Sequence, residues 1–85
     1  MNRREQWRPV LEAEVKRWSA KPVQQLMSEL KDGQAYQLMF DSKEYNVEVQ
    51  LLENTAKYIH VSVSVDDGSL PASFSPLNDS FIRKK

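Results

Sequence analysis

His60, the only histidine of the chain, is the residue best suited to acid–base chemistry. It lies in an alternating apolar–polar stretch that predicts a β-strand, and Ser62 follows on the same face of that strand. In the strand pairing that the sequence favours, Gln50 lies opposite His60 and Glu48 lies diagonal to it. A carboxylate, an imidazole and a hydroxyl together could activate a nucleophile. A flat sheet face supplies no oxyanion hole, however, so a surface histidine bonded to a neighbour is the simpler interpretation.

Glu14 is the second residue with chemical potential. On a helical wheel it falls between Val10, Leu11 and Trp18, inside or at the edge of an apolar arc. Burial would raise the pKa of this carboxyl, and carboxyls with perturbed pKa values are enriched at functional sites. The alternative, and the more common arrangement, is that Glu14 lies at the rim of the arc and pairs with a cation such as Arg17.

Metal and cofactor sites find little support in the sequence. Asp66-Asp67-Gly68 lacks the spacing of a calcium loop and is typical of a turn. A single histidine without cysteine cannot supply the ligands of an ordinary zinc site. The glycines, Gly33 and Gly68, are too few to form a phosphate-binding or dinucleotide-binding loop. We therefore expect no cofactor and no metal.

Two helices are predicted at the N-terminal end by apolar residues at helical spacing. The first begins near residues 6–9 and ends near Ser19. Pro22 opens the second helix, Ser19 is a candidate cap for it, and Asp32-Gly33 ends it with a glycine in the left-handed conformation.

Three strands are predicted next, at Gln34–Phe40, from about Lys43 to Glu53, and from about Lys57 to Asp66. Short connections between them favour a meander. The fold class is therefore α+β, with two N-terminal helices packed on a three-stranded antiparallel sheet and a short fourth edge strand as an option.

The register of these strands follows from the turns, because directly opposed residues share a face of the sheet. A two-residue loop at Asp41-Ser42 pairs Phe40 with Lys43. A loop over residues 54–56 pairs Glu53 with Lys57 and sets opposite charges across from each other. The inward rows of helices and strands then predict a core of Leu11, Val15, Trp18, Leu26, Leu30, Leu38, Phe40, Val47, Val49, Ile59, Val61 and Val63.

Residues 69–85 differ in composition from the rest of the single domain, 1–85. They predict an irregular segment that contains Pro and Ser and ends in a basic tail. Pro71 and Pro76 exclude a long central strand there. The segment is expected to form either a short edge strand near Ala72–Ser75 or a flap over the sheet. The apolar residues expected to dock on the core are Leu70, Phe74, Leu77, Phe81 and Ile82.

The outward side of the predicted sheet is short of charge apart from Glu48. Neutral amides, hydroxyls and Tyr are cheaper to desolvate than ions, so such a face suits a protein contact. The same face could instead be covered by the C-terminal segment of the same chain. The candidate contact residues are Met39, Gln50, Leu52, Tyr58, His60, Ser62 and Phe74.

The composition of the chain argues against some classes of function. The net charge is zero, but acids dominate the strands and bases dominate both ends of the chain. An acidic sheet repels phosphate backbones, which argues against nucleic-acid binding. No apolar stretch suits a membrane span or a secretory signal, which predicts a cytoplasmic protein without membrane contact.

These expectations favour a non-catalytic protein–protein interaction module. Its partner would be another protein or a second copy of the chain. The alternative is a small enzyme or ligand-binding domain that uses His60, Glu48 and Ser62 on the sheet face.

Overall fold

The computed structural model describes residues 3–68 and 77–85. Two helices precede an antiparallel four-stranded sheet with the strand order β1-β2-β3-β4. The α+β architecture is therefore confirmed, and the optional fourth strand is present. The elements are a short 3-10 helix at Arg3–Trp7, α1 at Arg8–Ser19, α2 at Val23–Glu29, β1 at Gln34–Phe40, β2 at Lys43–Asn54, β3 at Tyr58–Asp66 and β4 at Leu77–Lys84.

The residues predicted to begin and end the helices do so only in part. Pro9 lies in the first turn of α1, where a missing N–H breaks no hydrogen bond, and Pro22 is the N-cap of α2. Ser19 does not cap α2, because its hydroxyl bonds the carbonyl oxygen of Lys16 instead. The second helix ends at Glu29, earlier than predicted, and Gly33 with a φ of 78° closes the turn into β1.

The pairing of β1 with β2 is the predicted one, with Phe40 opposite Lys43. Asp41 and Ser42 both have positive φ, at 52° and 64°, as a tight two-residue hairpin loop requires.

The predicted pairing of β2 with β3 is wrong. Before the bulge Gln50 already lies opposite Ser62 instead of His60, so the register is displaced by two residues. A bulge between Leu51 and Glu53 adds one more residue and sets Glu53 opposite His60 instead of Lys57. The turn is also displaced along the chain, since Thr55 rather than Glu53 closes it and the loop between the strands covers residues 55–57 instead of 54–56. The Thr55 hydroxyl accepts hydrogen bonds from the backbone N–H groups of Lys57 at 3.2 Å and Tyr58 at 3.1 Å.

The core lies between the helices and one face of the sheet, which we call the inner face. Val15 and Leu38, predicted for the core, are only partly buried. Phe40 remains 39% exposed because it ends an edge strand. Trp7, Val10, Tyr45 and Val65 are buried although they were not in the predicted set. The buried apolar residues are Trp7, Val10, Leu11, Trp18, Leu26, Leu30, Tyr45, Val47, Val49, Ile59, Val61, Val63 and Val65.

Much of the segment that we expected to be irregular is the strand β4, which pairs with β3 along its whole length. Leu77 and Phe81 pack against the core as predicted, but Ile82 points the other way and is 58% exposed. The expected strand near Ala72–Ser75, and the docking of Leu70 and Phe74, lie outside the described residues. Within the described ranges, no helix has the length and apolar character needed to cross a membrane.

Candidate interaction surface

The face of the sheet opposite the helices, which we call the outer face, follows from the strand registers. Along each of the four strands, every second residue points away from the helices, and residues paired across the strands share that side. Both helices contribute their buried side chains to the inner face. No described helix is therefore left to cover the outer face. Its residues are Ala35, Gln37, Met39, Glu44, Asn46, Glu48, Gln50, Glu53, Tyr58, His60, Ser62, Ser64, Asp66, Asn78, Ser80, Ile82 and Lys84, and Leu52 adjoins them at the bulge of β2.

Exposed apolar side chains mark the two ends of this surface. Met39 is 66% exposed near the β1–β2 hairpin. At the opposite end, Leu52 is 53% exposed at the bulge, and Ile82 is 58% exposed on β4. His60 lies between Leu52 and Ile82, since it pairs with Ile82 on one side and with Glu53, the neighbour of Leu52, on the other. Apolar groups bordered by polar ones are typical of protein contact surfaces.

The register and the bulge together place His60 opposite Glu53, while Gln50 lies opposite Ser62. The Nδ1 atom of His60 lies 3.5 Å from Oε1 of Glu53. The other carboxylate oxygen accepts a hydrogen bond from the hydroxyl of Tyr58 at 3.4 Å. The half-exposed Glu53 therefore joins two of the predicted contact residues into one polar cluster beside Leu52.

The predicted catalytic grouping does not form. Ser62 lies between Gln50 and Ser80, and Glu48 lies opposite Ser64, which is four residues from His60 along β3. Among the described residues, the carboxylate that contacts His60 is Glu53. The carboxylate beside His60 is thus Glu53 and not the expected Glu48.

A shallow groove of about 590 Å³ opens where the turn after α2 meets the outer face. Backbone and polar side chains dominate its lining, which includes Asp32, Gln34, Glu48 and Gln50. Specific small-molecule sites are usually concave and mostly apolar, so this groove is better suited to a polar edge of a larger contact than to a buried ligand.

Carboxylates give the outer face more charge than the sequence suggested. Glu44 and Glu48 are exposed on β2, and Glu53 joins them through the bulge. Asp66 is engaged at the rim, where one of its oxygens accepts hydrogen bonds from Asn46 and from the N–H of Gly68. Among the described residues, Lys84 supplies the positive charge on this face. The surface therefore carries exposed apolar side chains at both ends, with Glu44 beside Met39, Glu53 beside Leu52, and Glu48 between the two ends.

Glu14 lies on the inner face and is 7% exposed. Arg17 binds both of its carboxylate oxygens, at 3.2 and 2.9 Å, and the hydroxyl of Tyr36 donates to one of them. Desolvation alone would raise the pKa of Glu14, but the hydrogen bonds from Arg17 and Tyr36 outweigh it, so the pKa lies below its usual range. The predicted rise is thus wrong, and the pairing with Arg17 is present. Trp18 completes the cluster by donating to Tyr36 at 2.8 Å.

No group of side chains in residues 3–68 and 77–85 has the arrangement of a metal site. The two aspartates of the Asp66-Asp67-Gly68 turn serve the fold instead. Asp66 holds the turn as described above, and Asp67 forms an ion pair with Lys43 at 2.9 Å.

Three of the residues that matter here escaped prediction. Glu53 was paired with Lys57, Ile82 was assigned to the core, and Glu44 was not considered. The alternation of β2 was a sufficient signal for Glu44, since residues 44, 46, 48 and 50 share a face. Phe74, the remaining predicted contact residue, lies outside the described residues.

No protein-family model matches the chain, and no curated protein or solved structure shows significant similarity to it. The chemistry of the outer face is therefore the main guide to function.

Proposed function

We propose that this chain is a cytoplasmic, non-catalytic protein-interaction module that binds a partner protein on its outer face. The observation that carries the proposal is the exposure of Leu52 and Ile82 at one end of the outer face, beside the carboxylate of Glu53 and with that of Glu48 further along β2. Exposed apolar groups supply burial energy, and the carboxylates set the charge that a partner must present.

The partner class follows from this chemistry. Burying Glu48 or Glu53 against an apolar surface would be costly, because a desolvated carboxylate needs a compensating charge or hydrogen bond. A suitable partner therefore presents apolar side chains bordered by Lys or Arg. Binding to such a partner should weaken as salt concentration rises, since the carboxylates lie at the solvent-exposed part of the surface.

Site-specific photo-crosslinking in the native host tests this proposal. A photoreactive phenylalanine analogue is placed at Leu52 on the outer face and, as the matched control, at Ala13 on the exposed side of α1. The proposal expects a discrete heterologous adduct from position 52 and none from position 13. Equal adducts from both positions, or adducts only with a second copy of the chain, would overturn it.

The captured protein is then purified and titrated with the variants. Ile82→Lys should weaken binding by about tenfold or more, because it replaces an exposed apolar side chain of this end with a charge that repels a basic partner. Ala13→Lys should leave the affinity unchanged. An affinity insensitive to Ile82→Lys, with the fold intact by circular dichroism, would show that the partner binds elsewhere.

A further inference from the structure

One edge of the sheet lacks the features that normally prevent strands from pairing between molecules. Within residues 3–68 and 77–85, β1 pairs with β2 on one side and with no strand on the other, and its residues Gln34–Phe40 include no charge, proline or glycine. Its register with β2 is continuous over seven pairs, without a bulge. Natural edge strands usually carry a lysine, a proline or a bulge at such positions.

The opposite edge strand shows the contrast. β4 carries Asp79, Arg83 and Lys84 within its eight residues. Charges on an edge strand oppose pairing with another sheet, because they would have to be desolvated or matched. The sheet is therefore protected at β4 and unprotected at β1.

The sequence of β1 is also complementary to itself in an antiparallel arrangement. With Gln37 opposite its own copy, Met39 lies beside the small Ala35 of the second chain on the outer face. On the inner face, Leu38 lies beside Tyr36, and Phe40 lies beside Gln34. The same pairs form twice, as a two-fold interface requires, and no like charges meet.

Phe40 supplies a reason for the pairing. It belongs to the inward row of β1 with Tyr36 and Leu38, yet it is 39% exposed. A second β1 strand would place side chains along this row and shield the exposed edge of the ring from water, as the core does for the inward rows of β2 and β3.

We propose that two copies of this chain associate by antiparallel pairing of their β1 strands about a two-fold axis at Gln37, forming one continuous sheet. The occupant of the edge is a second copy because the strand is neutral and complementary to itself. This interface lies along the β1 edge of the sheet, whereas Leu52, Glu53 and Ile82, which carry the proposed function, lie on β2 and β4, so each proposal can fail without the other.

The test uses charge at the axis. Gln37→Lys places two lysines opposite each other across the axis, and Gln37→Glu places two glutamates there. Analytical ultracentrifugation should show a concentration-dependent dimer for the native chain, and a dissociation constant at least tenfold higher for either variant. A mixture of the two variants should restore a dimer, because Lys then faces Glu. Gln50→Lys, on β2 and away from the edge, should dimerise as the native chain does.

Several outcomes would overturn the proposal. These are a native chain that stays monomeric at the highest attainable concentration, a Gln37→Lys variant that dimerises normally, or a Gln50→Lys variant that loses the dimer equally. A single cysteine provides a second measurement, because the native chain has none. Gln37→Cys should form a disulfide-linked dimer under mild oxidation, and Gln50→Cys should not. Equal crosslinking of both would contradict pairing at β1.

Discussion

The hydroxyl of Tyr36 on β1 donates a hydrogen bond to the carboxylate of Glu14 on α1. The same hydroxyl accepts hydrogen bonds from the indole of Trp18 and from the guanidinium of Arg17, at 2.8 and 2.7 Å. Four side chains thus form a single network between the first helix and the first strand. In this network a buried carboxylate is fully paired, so its charge supports the fold instead of opposing it.

Replacing Glu14 with Gln should lower the free energy of unfolding by about 1–2 kcal/mol at neutral pH, because the amide cannot form charge-assisted bonds with Arg17. Glu12→Gln, on the exposed side of the same helix, should cost little. Urea unfolding of both variants measures the difference. A similar loss in both variants would mean that the network adds nothing specific.

The pH dependence of this loss follows from the lowered pKa of Glu14. The folded-state pKa lies below the ordinary value of 4.5, so the stabilisation is present above that value and is lost as pH falls through the folded pKa. The native chain and Glu14→Gln should therefore converge in stability in strong acid. A gap that stays constant from neutral pH to strong acid would contradict ionic pairing at Glu14.

Tyr36 should make the stability of the fold decrease as the pH rises in the alkaline range, whereas Glu14 makes it decrease as the pH falls in the acidic range. Burial raises the pKa of its phenol above 10.0, and the hydrogen bond to Glu14 raises it further. The folded state therefore resists losing this proton, and stability falls as pH rises from the unfolded value toward the folded one. NMR of ring-labelled tyrosine should show Tyr36 titrating above its ordinary range. Titration of Tyr36 below pH 10.0 would show that the network is not formed in solution.

Local sequence patterns predicted the first three strands well, because the alternation that marks a strand is visible in residues that are close together in the sequence. The boundaries of β1 and the loop at Asp41-Ser42 follow from alternation and from the short distance between two apolar rows. The register of β2 with β3 did not follow, because neither the position of the turn nor the bulge before Glu53 has a clear local marker. A displacement of two residues along the strands, together with the one residue inserted at the bulge, moved His60 from Gln50 to Glu53 and changed the candidate site.

Contacts over long sequence separation were also beyond prediction. Alternation alone would have placed Ile82 and Phe81 on opposite faces. The prolines argued against a strand in this segment, however, so the strand that begins at Leu77 was not predicted. The partners of Glu14 were predicted only within its own helix. Tyr36 joins it from 22 residues further along the chain, a contact that depends on how the helix crosses the sheet.

The hairpin loop between β1 and β2 offers a stabilising substitution. Ser42 adopts a φ of 64°, which is strained for a residue with a β-carbon. Ser42→Gly should raise the free energy of unfolding by about 0.5–1 kcal/mol, because glycine adopts this conformation without strain. Ser42→Val should lower it. Thermal melts of the two variants test the sign, and a destabilising Ser42→Gly would argue against this turn geometry.

Arg83 connects the last strand to the end of the first helix. Its guanidinium donates to the backbone carbonyl oxygens of Ser19 and Lys21, the latter at 3.0 Å. Carbonyl groups at a helix C-terminus lack partners within the helix and carry partial negative charge, so a cation there is stabilising. β4 therefore contributes more than a row of strand hydrogen bonds, because it also holds the turn between α1 and α2.

Arg83→Met should accordingly lower the free energy of unfolding by about 1–3 kcal/mol, since it leaves these carbonyls without a charged donor while keeping the aliphatic stem. Lys84→Met is the matched control, because the neighbouring Lys84 points to the outer face. Guanidinium unfolding gives the two stabilities, and amide hydrogen exchange at residues 19–21 should accelerate only in Arg83→Met. Equal losses in the two variants, or unchanged exchange in Arg83→Met, would show that β4 holds the helix end by packing alone.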